Sequence, residues 1–227
     1  DVDQDDVYAF LAAHAKSHRI ARDATGVAHL DVGSGPWRLP IPIAEREGAW
    51  RFDTRGATEE MRARRIGRNE LAAMQAALAY FDAQREYAVA DRDGDGTPEY
   101  AQRIVSTPGK RDGLYWASLP GEPESPLGPA FGDDRQGDTY HGYHFRILRA
   151  QGPNARGGAY DYRIKGRMVA GFGLVAWPAR HGETGVMTFI VNHDGQLYQK
   201  NLGPGTDAAA RGLARFDPDA SWSKVAP

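Results

Sequence analysis

The sequence contains no cysteine. That excludes disulfides, thiolate nucleophiles and thiolate metal sites together. It has no apolar run approaching the roughly 18 residues that a membrane-spanning helix requires. Charge of one sign is also lacking: 28 basic against 30 acidic side chains leave a net charge of −2, too little to concentrate nucleic acid or an anionic membrane. No N-terminal signal-type segment is present. The opening DVDQDD is neither a start methionine nor a targeting sequence, and it reads as the beginning of a trimmed or mature chain. What is there is ordinary: 41% hydrophobic and 26% charged residues over 227 positions, the make-up of a globular protein able to bury a core.

Apolar spacing sets the expected elements. Val7, Phe10, Leu11 and Ile20 recur at nearly helical intervals, so residues 6–21 read as an amphipathic helix. Three short extended runs follow, VAHLDVG, WRLPIPIAE and AWRFDT. Pro40 and Pro42 confine the middle one to an edge or bulge, and REGAW carries a hairpin turn. The strongest helical signal covers residues 58–90, where Met61, Ile66, Leu71, Met74, Leu78, Phe81 and Tyr87 form the apolar stripe. Thr58, Glu59 and Glu60 suit its N-terminus, and Gly67 marks a point where it could divide. Residues 106–140 are rich in Pro and Gly and read as a long irregular excursion. Beyond them GYHFRILRAQ, GAYDYRI, RMVAGFGLVAWP, GVMTFIVN and GQLYQKNL are candidate strands joined by short turns at KG, HGETG and HDG. Close turns imply an antiparallel meander. The expected fold class is α+β, a long helix packed on that meander. Residues 1–56 would form a small helix-plus-hairpin region and residues 57–227 the main body.

The motifs WRLPIPIAEREGAWRFDT, RRIGRNELAAMQAALAYFDAQREYA, GKRDGLYW and GGAYDYRIKGRMVAGFGLVAWPARHGETGVMTFIVNHDGQLYQKNLG resemble a bacterial family of exported proteins, domain-of-unknown-function family 2950. The resemblance runs from about Leu30 to Trp222. It implies a periplasmic or secreted protein and carries no activity. A weaker resemblance rests on Gln84, Tyr87, Glu99–Ala101, Gly113–Leu114, Gly142–Phe145, Ala176–Pro178, Thr184–Gly185, Thr188–Phe189 and Asp194–Gly195. In that order these are similar to the globular heads of type IV pilins and type II secretion pseudopilins, and they imply a helical spine on an antiparallel sheet. The hydrophobic N-terminal helix that polymerises a pilin is missing from this sequence.

The most pointed chemistry lies in DRDGDGTPEY, residues 91–100. Asp91, Asp93 and Asp95 alternate, Gly96 supplies a sharp turn, and Glu99 falls at the ninth position of a calcium-type loop. A backbone carbonyl near Thr97 would add a ligand. The twelfth position, where such loops carry a bidentate Glu, is Gln102. Calcium here would be structural, because nothing adjacent supplies a nucleophile. The competing reading is a metal-free acidic turn that ends the helix.

The remaining candidates favour bland readings. His14 and His18 sit four apart on the expected helix, a zinc-compatible spacing without a third ligand. His141 and His144 would point to opposite faces of a strand. No serine occupies a nucleophile elbow. The GPGTD stretch at 203–207 reads as a capped helix start. Arg62, Arg64, Arg65 and Arg68 form a salt-bridging helix face, and Trp37, Trp50, Tyr115, Trp116 and Trp177 serve as core or loop anchors ahead of a ligand groove. The functional expectation is a non-enzymatic envelope protein that works by binding or assembly with an envelope protein partner. The alternative is a periplasmic ligand-binding protein or hydrolase whose pocket wall is the 106–140 excursion.

Overall fold

The computed structural model describes residues 4–225 apart from 25, 93, 95, 119–120 and 129–138. The chain is an α+β protein dividing into two compact units, residues 1–65 and 66–227. The helix α2, Ala57–Tyr87, starts in the first and ends in the second.

The first unit contains α1 (Gln4–Lys16) and a four-stranded antiparallel sheet, β1 (His18–Arg22), β2 (Ala28–Val32), β3 (Ile43–Arg46) and β4 (Ala49–Phe52), in that spatial order. Ala28, Leu30, Val32 and Ile43 are its core, with Phe10, Ala13 and Leu39 packed against them. Here the structure corrects the expected helix over 6–21. The helix stops at Lys16, and residues 18–22 pair with 28–32 from His18↔Val32 to Arg22↔Ala28. Ile20 matched helical spacing by coincidence; a β-branched residue beside an available partner strand is better placed on a pleated ladder. Glu47 and Gly48 both take positive φ, 54° and 76°, the two-residue turn that matches strand twist.

Asp31 on β2 accepts from Arg38 Nε at 2.8 Å and Arg19 Nε at 3.2 Å. The hydrogen bond from Arg38, ahead of the charges of both arginines, lowers its pKa from the ordinary 3.8. A carboxylate whose folded pKa is depressed adds stability above its unfolded value and loses it as pH falls through the folded one. Asp31→Asn should therefore be less stable than wild type at neutral pH, with the difference shrinking towards about pH 3. Urea unfolding at the two pH values measures this, and a gap that does not narrow in acid would contradict it.

In the second unit the main sheet is antiparallel, ordered β13 (Ser223–Lys224), β12 (Tyr198–Asn201), β11 (Met187–Asn192), β10 (Gly173–Pro178) and β5 (Tyr143–Leu148). Every residue of β10 is buried, because both sheet faces are covered. Leu174 and Ala176 face the cluster that includes Ala73, Ala77, Tyr80, Ala83 and Tyr87 of α2. Val175 and Trp177 face a second cluster holding Ala210 of α3 (Thr206–Gly212) and Phe216. Two-sided burial explains why GLVAWP shows no alternation.

Two further expectations need correction. The candidate strand at 158–164 does not join the sheet. It splits into β7 (Tyr160–Asp161), which pairs with β6 (Ala150–Gln151), and β8 (Arg163–Ile164), which pairs with β9 (Arg167–Met168) through Lys165 and Gly166, both at positive φ. The apolar stripe expected of α2 is buried only in part: Tyr87 lies in the core and Met74 and Phe81 pack against it. Met61, Leu71 and Leu78 are exposed, while Ala73, Ala76, Ala77, Tyr80, Ala83 and Gln84 are buried. Small residues let the helix backbone approach the sheet, and Phe172, Tyr143 and Tyr162 fill the space between. The helix runs uninterrupted through Gly67.

Candidate functional site

The loop after α2 is held at both ends. At its start Asp91 Oδ1 accepts from Gly94 N and Oδ2 from Gly96 N, each at 2.8 Å. Both carboxylate oxygens are thus wrapped by backbone N–H groups, the Asx-type turn that Asp followed by Gly favours. Thr97 Oγ1 accepts from Arg167 Nη1 at 2.5 Å. Tyr100 N donates to Met168 O, and Gln102 Nε2 donates to Gly166 O, both at 2.8 Å. Gln102, the twelfth position of the calcium-type pattern, is thus occupied in tying the loop to the β8–β9 hairpin. Glu99 is half-buried. Asp93 and Asp95 lie outside the described residues. Among the described residues no three His, Asp or Glu side chains converge as a metal-binding group, and two of the four carboxylates in question are not among them.

The residue that fixes this loop to the body is Gln84, which its amphiphilic type did not single out. It is fully buried. Its Nε2 donates to Ala101 O at 2.8 Å and to Tyr80 Oη at 3.0 Å, while Ala101 N donates to its Oε1 at 2.8 Å. A primary amide has the one donor and one acceptor side needed to mimic a strand partner for Ala101. Tyr80 Oη passes the chain on to Gly173 O at 3.0 Å. Burial, eased a little by the Gln84 bond, drives the Tyr80 pKa far above its ordinary value. A second clasp sits near the other end of the helix segment. Glu70 Oε1 accepts from Val186 N and Met187 N at 2.8 and 3.0 Å, and Asn69 Nδ2 donates to Thr184 O at 2.8 Å.

The other candidates are placed as follows. His14 and His18 stack, ring centroids 3.9 Å apart, and His18 Nδ1 bonds the His14 carbonyl, because His18 lies on β1 and not on the helix. His141 sits in a turn at φ 47°, and His144 lies against Trp177. Ser118 and Ser125 hydroxyls donate to backbone carbonyls, and Ser106 Oγ accepts from Gly113 N. Arg62 contacts Glu59, and Arg64 Nε bonds Glu60 at 2.7 Å. Helix α3 begins at Thr206 with Gly205 at its N-cap position, so GPGTD does open a helix, without a side-chain cap bond; Thr206 Oγ1 donates back to Gly203 O. Trp116 and Trp177 are buried on opposite faces of the sheet, so they do not line one groove. A cavity of about 370 Å³ lies beside Thr107, Lys110, Arg111, Trp116 and Glu122, with the Arg111 guanidinium 5.7 Å from the Trp116 ring centre.

This defines a class: an α+β protein with a helical spine buried against an antiparallel sheet and an acidic loop clamped to the spine's end. The family model described as "Protein of unknown function (DUF2950)" matches residues 1–225, and the chain belongs to that family. No curated protein and no solved structure matches it. No helix among the described residues is long and apolar enough to cross a membrane.

Proposed function

We propose that this is a non-enzymatic exported protein of the cell envelope, acting in binding or assembly with a pilin-like α+β body. Its 91–99 loop takes one structural Ca²⁺ through Asp91, Asp93, Asp95 and Glu99, with a carbonyl near Thr97. The observation that carries this reading is the clamp of the loop between Gln84 of α2 and Gly166 of the β8–β9 hairpin. Such a clamp makes the loop a brace between the spine and the β8–β9 hairpin. The spine-on-sheet packing of Ala73, Tyr80 and Tyr87 supports the pilin-like part. The absence of cysteine suits an exported chain whose folding does not depend on oxidation.

Clustered carboxylates repel one another without a cation, so bound Ca²⁺ should stabilise the folded chain. A ligand selective for the folded state contributes about 2.7 kcal/mol at a hundredfold excess over its Kd, a shift of roughly 5–10 °C for a domain of this size. Melting in calcium and in chelator should differ by that amount for wild type and coincide for Asp93→Ala. Coincident wild-type curves would leave the metal-free turn. Light scattering of the folded protein against envelope extracts with and without calcium then tests the assembly role.

A further inference from the structure

A cleft of about 650 Å³ opens in the second unit between the 102–104 segment, β5, Arg149, Arg163 of β8 and Ala214 beyond α3. Its lining carries Arg103, Arg146, Arg149 and Arg163 and, among the described residues, no carboxylate. Four guanidinium groups at one place contrast with a chain whose net charge is −2. Two of them have carboxylates outside the lining. Arg163 Nη2 pairs with Asp161 at 3.1 Å, and Arg103 Nε lies 3.9 Å from Asp112. Arg149 is exposed and forms no ion pair among the described residues.

Arg146 is the most informative of the four. Its Nη2 donates to the carbonyls of Ala210 at 2.9 Å, Arg211 at 3.3 Å and Leu213 at 2.7 Å, the open end of α3. Its Nε is buried with no acceptor. Burial, and after it the charge of Arg211, pushes its pKa down. A half-buried cation answered only by carbonyl dipoles is a charge left over for a ligand. Beside it Ile104 and Ile147 supply an apolar wall.

We propose that this cleft binds a phosphate group attached to an apolar body, with Arg103 and Arg149 gripping the phosphate and Ile104 and Ile147 covering the body. Guanidinium groups match phosphate oxygens through paired N–H donors. Several guanidiniums offer more donors than the two oxygens of one carboxylate accept, whereas a phosphate monoester presents three terminal oxygens. The volume falls within the range of small-ligand sites, about 300–1,000 Å³. The proposal goes beyond the calcium reading and does not depend on it, since none of the proposed calcium ligands lines the cleft.

Calorimetric titration of the full chain in calcium-free buffer tests it, with monomeric dihexanoyl phosphatidic acid and inorganic pyrophosphate as probes and dihexanoyl phosphatidylcholine as the control. Phosphatidic acid should saturate one site. Arg103→Glu combined with Arg149→Glu should weaken it about tenfold or more. Arg22→Glu, the same charge change in the first unit, should not. Tighter binding of phosphatidic acid than pyrophosphate upholds the phosphate with an apolar body, and equal affinity overturns the role given to Ile104 and Ile147. No saturation by either probe at millimolar concentration, or unchanged binding by the double variant, overturns the proposal. Because Arg103 pairs with Asp112, the melting point of the double variant is measured alongside, and Arg149→Glu alone, at an exposed residue, should weaken binding while keeping the wild-type melting point.

Discussion

Gln84→Ala is expected to lower the free energy of unfolding by about 3–5 kcal/mol. The truncation strips partners from both the N–H and the C=O of Ala101, which is itself 2% exposed. Each buried backbone group left unsatisfied costs about 1–3 kcal/mol, and lost packing of the side chain adds to that. Tyr80 keeps its bond to Gly173 O, so the loss is concentrated at the loop attachment. Gln84→Glu separates hydrogen bonding from packing. A carboxylate there can still accept from Ala101 N but cannot donate to Ala101 O, and it buries a charge. Burial would raise its folded pKa above the unfolded value. The folded state then binds the extra proton more tightly, so this variant should gain stability as pH falls through that raised value. Urea unfolding of both variants between neutral and mildly acidic pH measures the effect. A Gln84→Ala protein within about 1 kcal/mol of wild type would mean that water replaces the amide at no great cost. If the loop holds calcium, Gln84→Ala should also reduce the calcium-dependent shift in melting temperature, because it releases one end of the brace.

The α+β class and the long helix were legible because α2 and strands β10 to β12 follow simple local rules: three-to-four spacing over 31 residues, and short turns between strands. The buried face of α2 was legible only in part, at Met74, Phe81 and Tyr87. Leu71 and Leu78 are the more hydrophobic choices, yet close approach to the sheet selects Ala73, Ala77 and Ala83, a requirement set by the aromatic rings of the partner face. The strand at His18–Arg22 was hidden because pairing with Ala28–Val32 is a tertiary fact. Glu70 was missed as a clasp residue for a related reason, and Gln84, named in the resemblance to pilin heads, was assigned no contact there. Gln and Glu on a helix usually face water, and only the backbone groups of Ala101, Val186 and Met187 turn them inward. Of the proposed cation loop, the aspartate that opens it organises a turn as its sequence predicts, and Gln102 departs from the ligand pattern because it serves the hairpin at Gly166. The four arginines of the cleft are scattered over 61 positions, so no local pattern announces them.

Gly185→Ala should be at least as damaging as the loss of a core methylene cluster, at about 3 kcal/mol or more. A Cβ at this position would lie 2.1 Å from Tyr143 Oη and 2.6 Å from two ring carbons, distances that non-bonded atoms do not adopt. The ring has nowhere to retreat. Tyr143 is fully buried at the start of β5, packs against Phe189, and donates its hydroxyl to Met187 O at 2.9 Å. Burial, and then the nearby Glu70 carboxylate, pushes its pKa far up, so the hydroxyl stays protonated as the donor to Met187 O. Accommodating the methyl group must shift either the ring or the 184–187 segment that Asn69 and Glu70 hold. Tyr143→Phe alone removes the Met187 bond, for about 1–1.5 kcal/mol, and also removes the atom nearest the new methyl group. In the double variant the hydroxyl clash is gone while the ring-carbon contacts remain. The two substitutions should therefore be less than additive, with a coupling of about 1 kcal/mol or more in urea unfolding. Strict additivity would show that the loop moves and the ring does not, and would place the strain of Gly185→Ala on the bonds to Asn69 and Glu70.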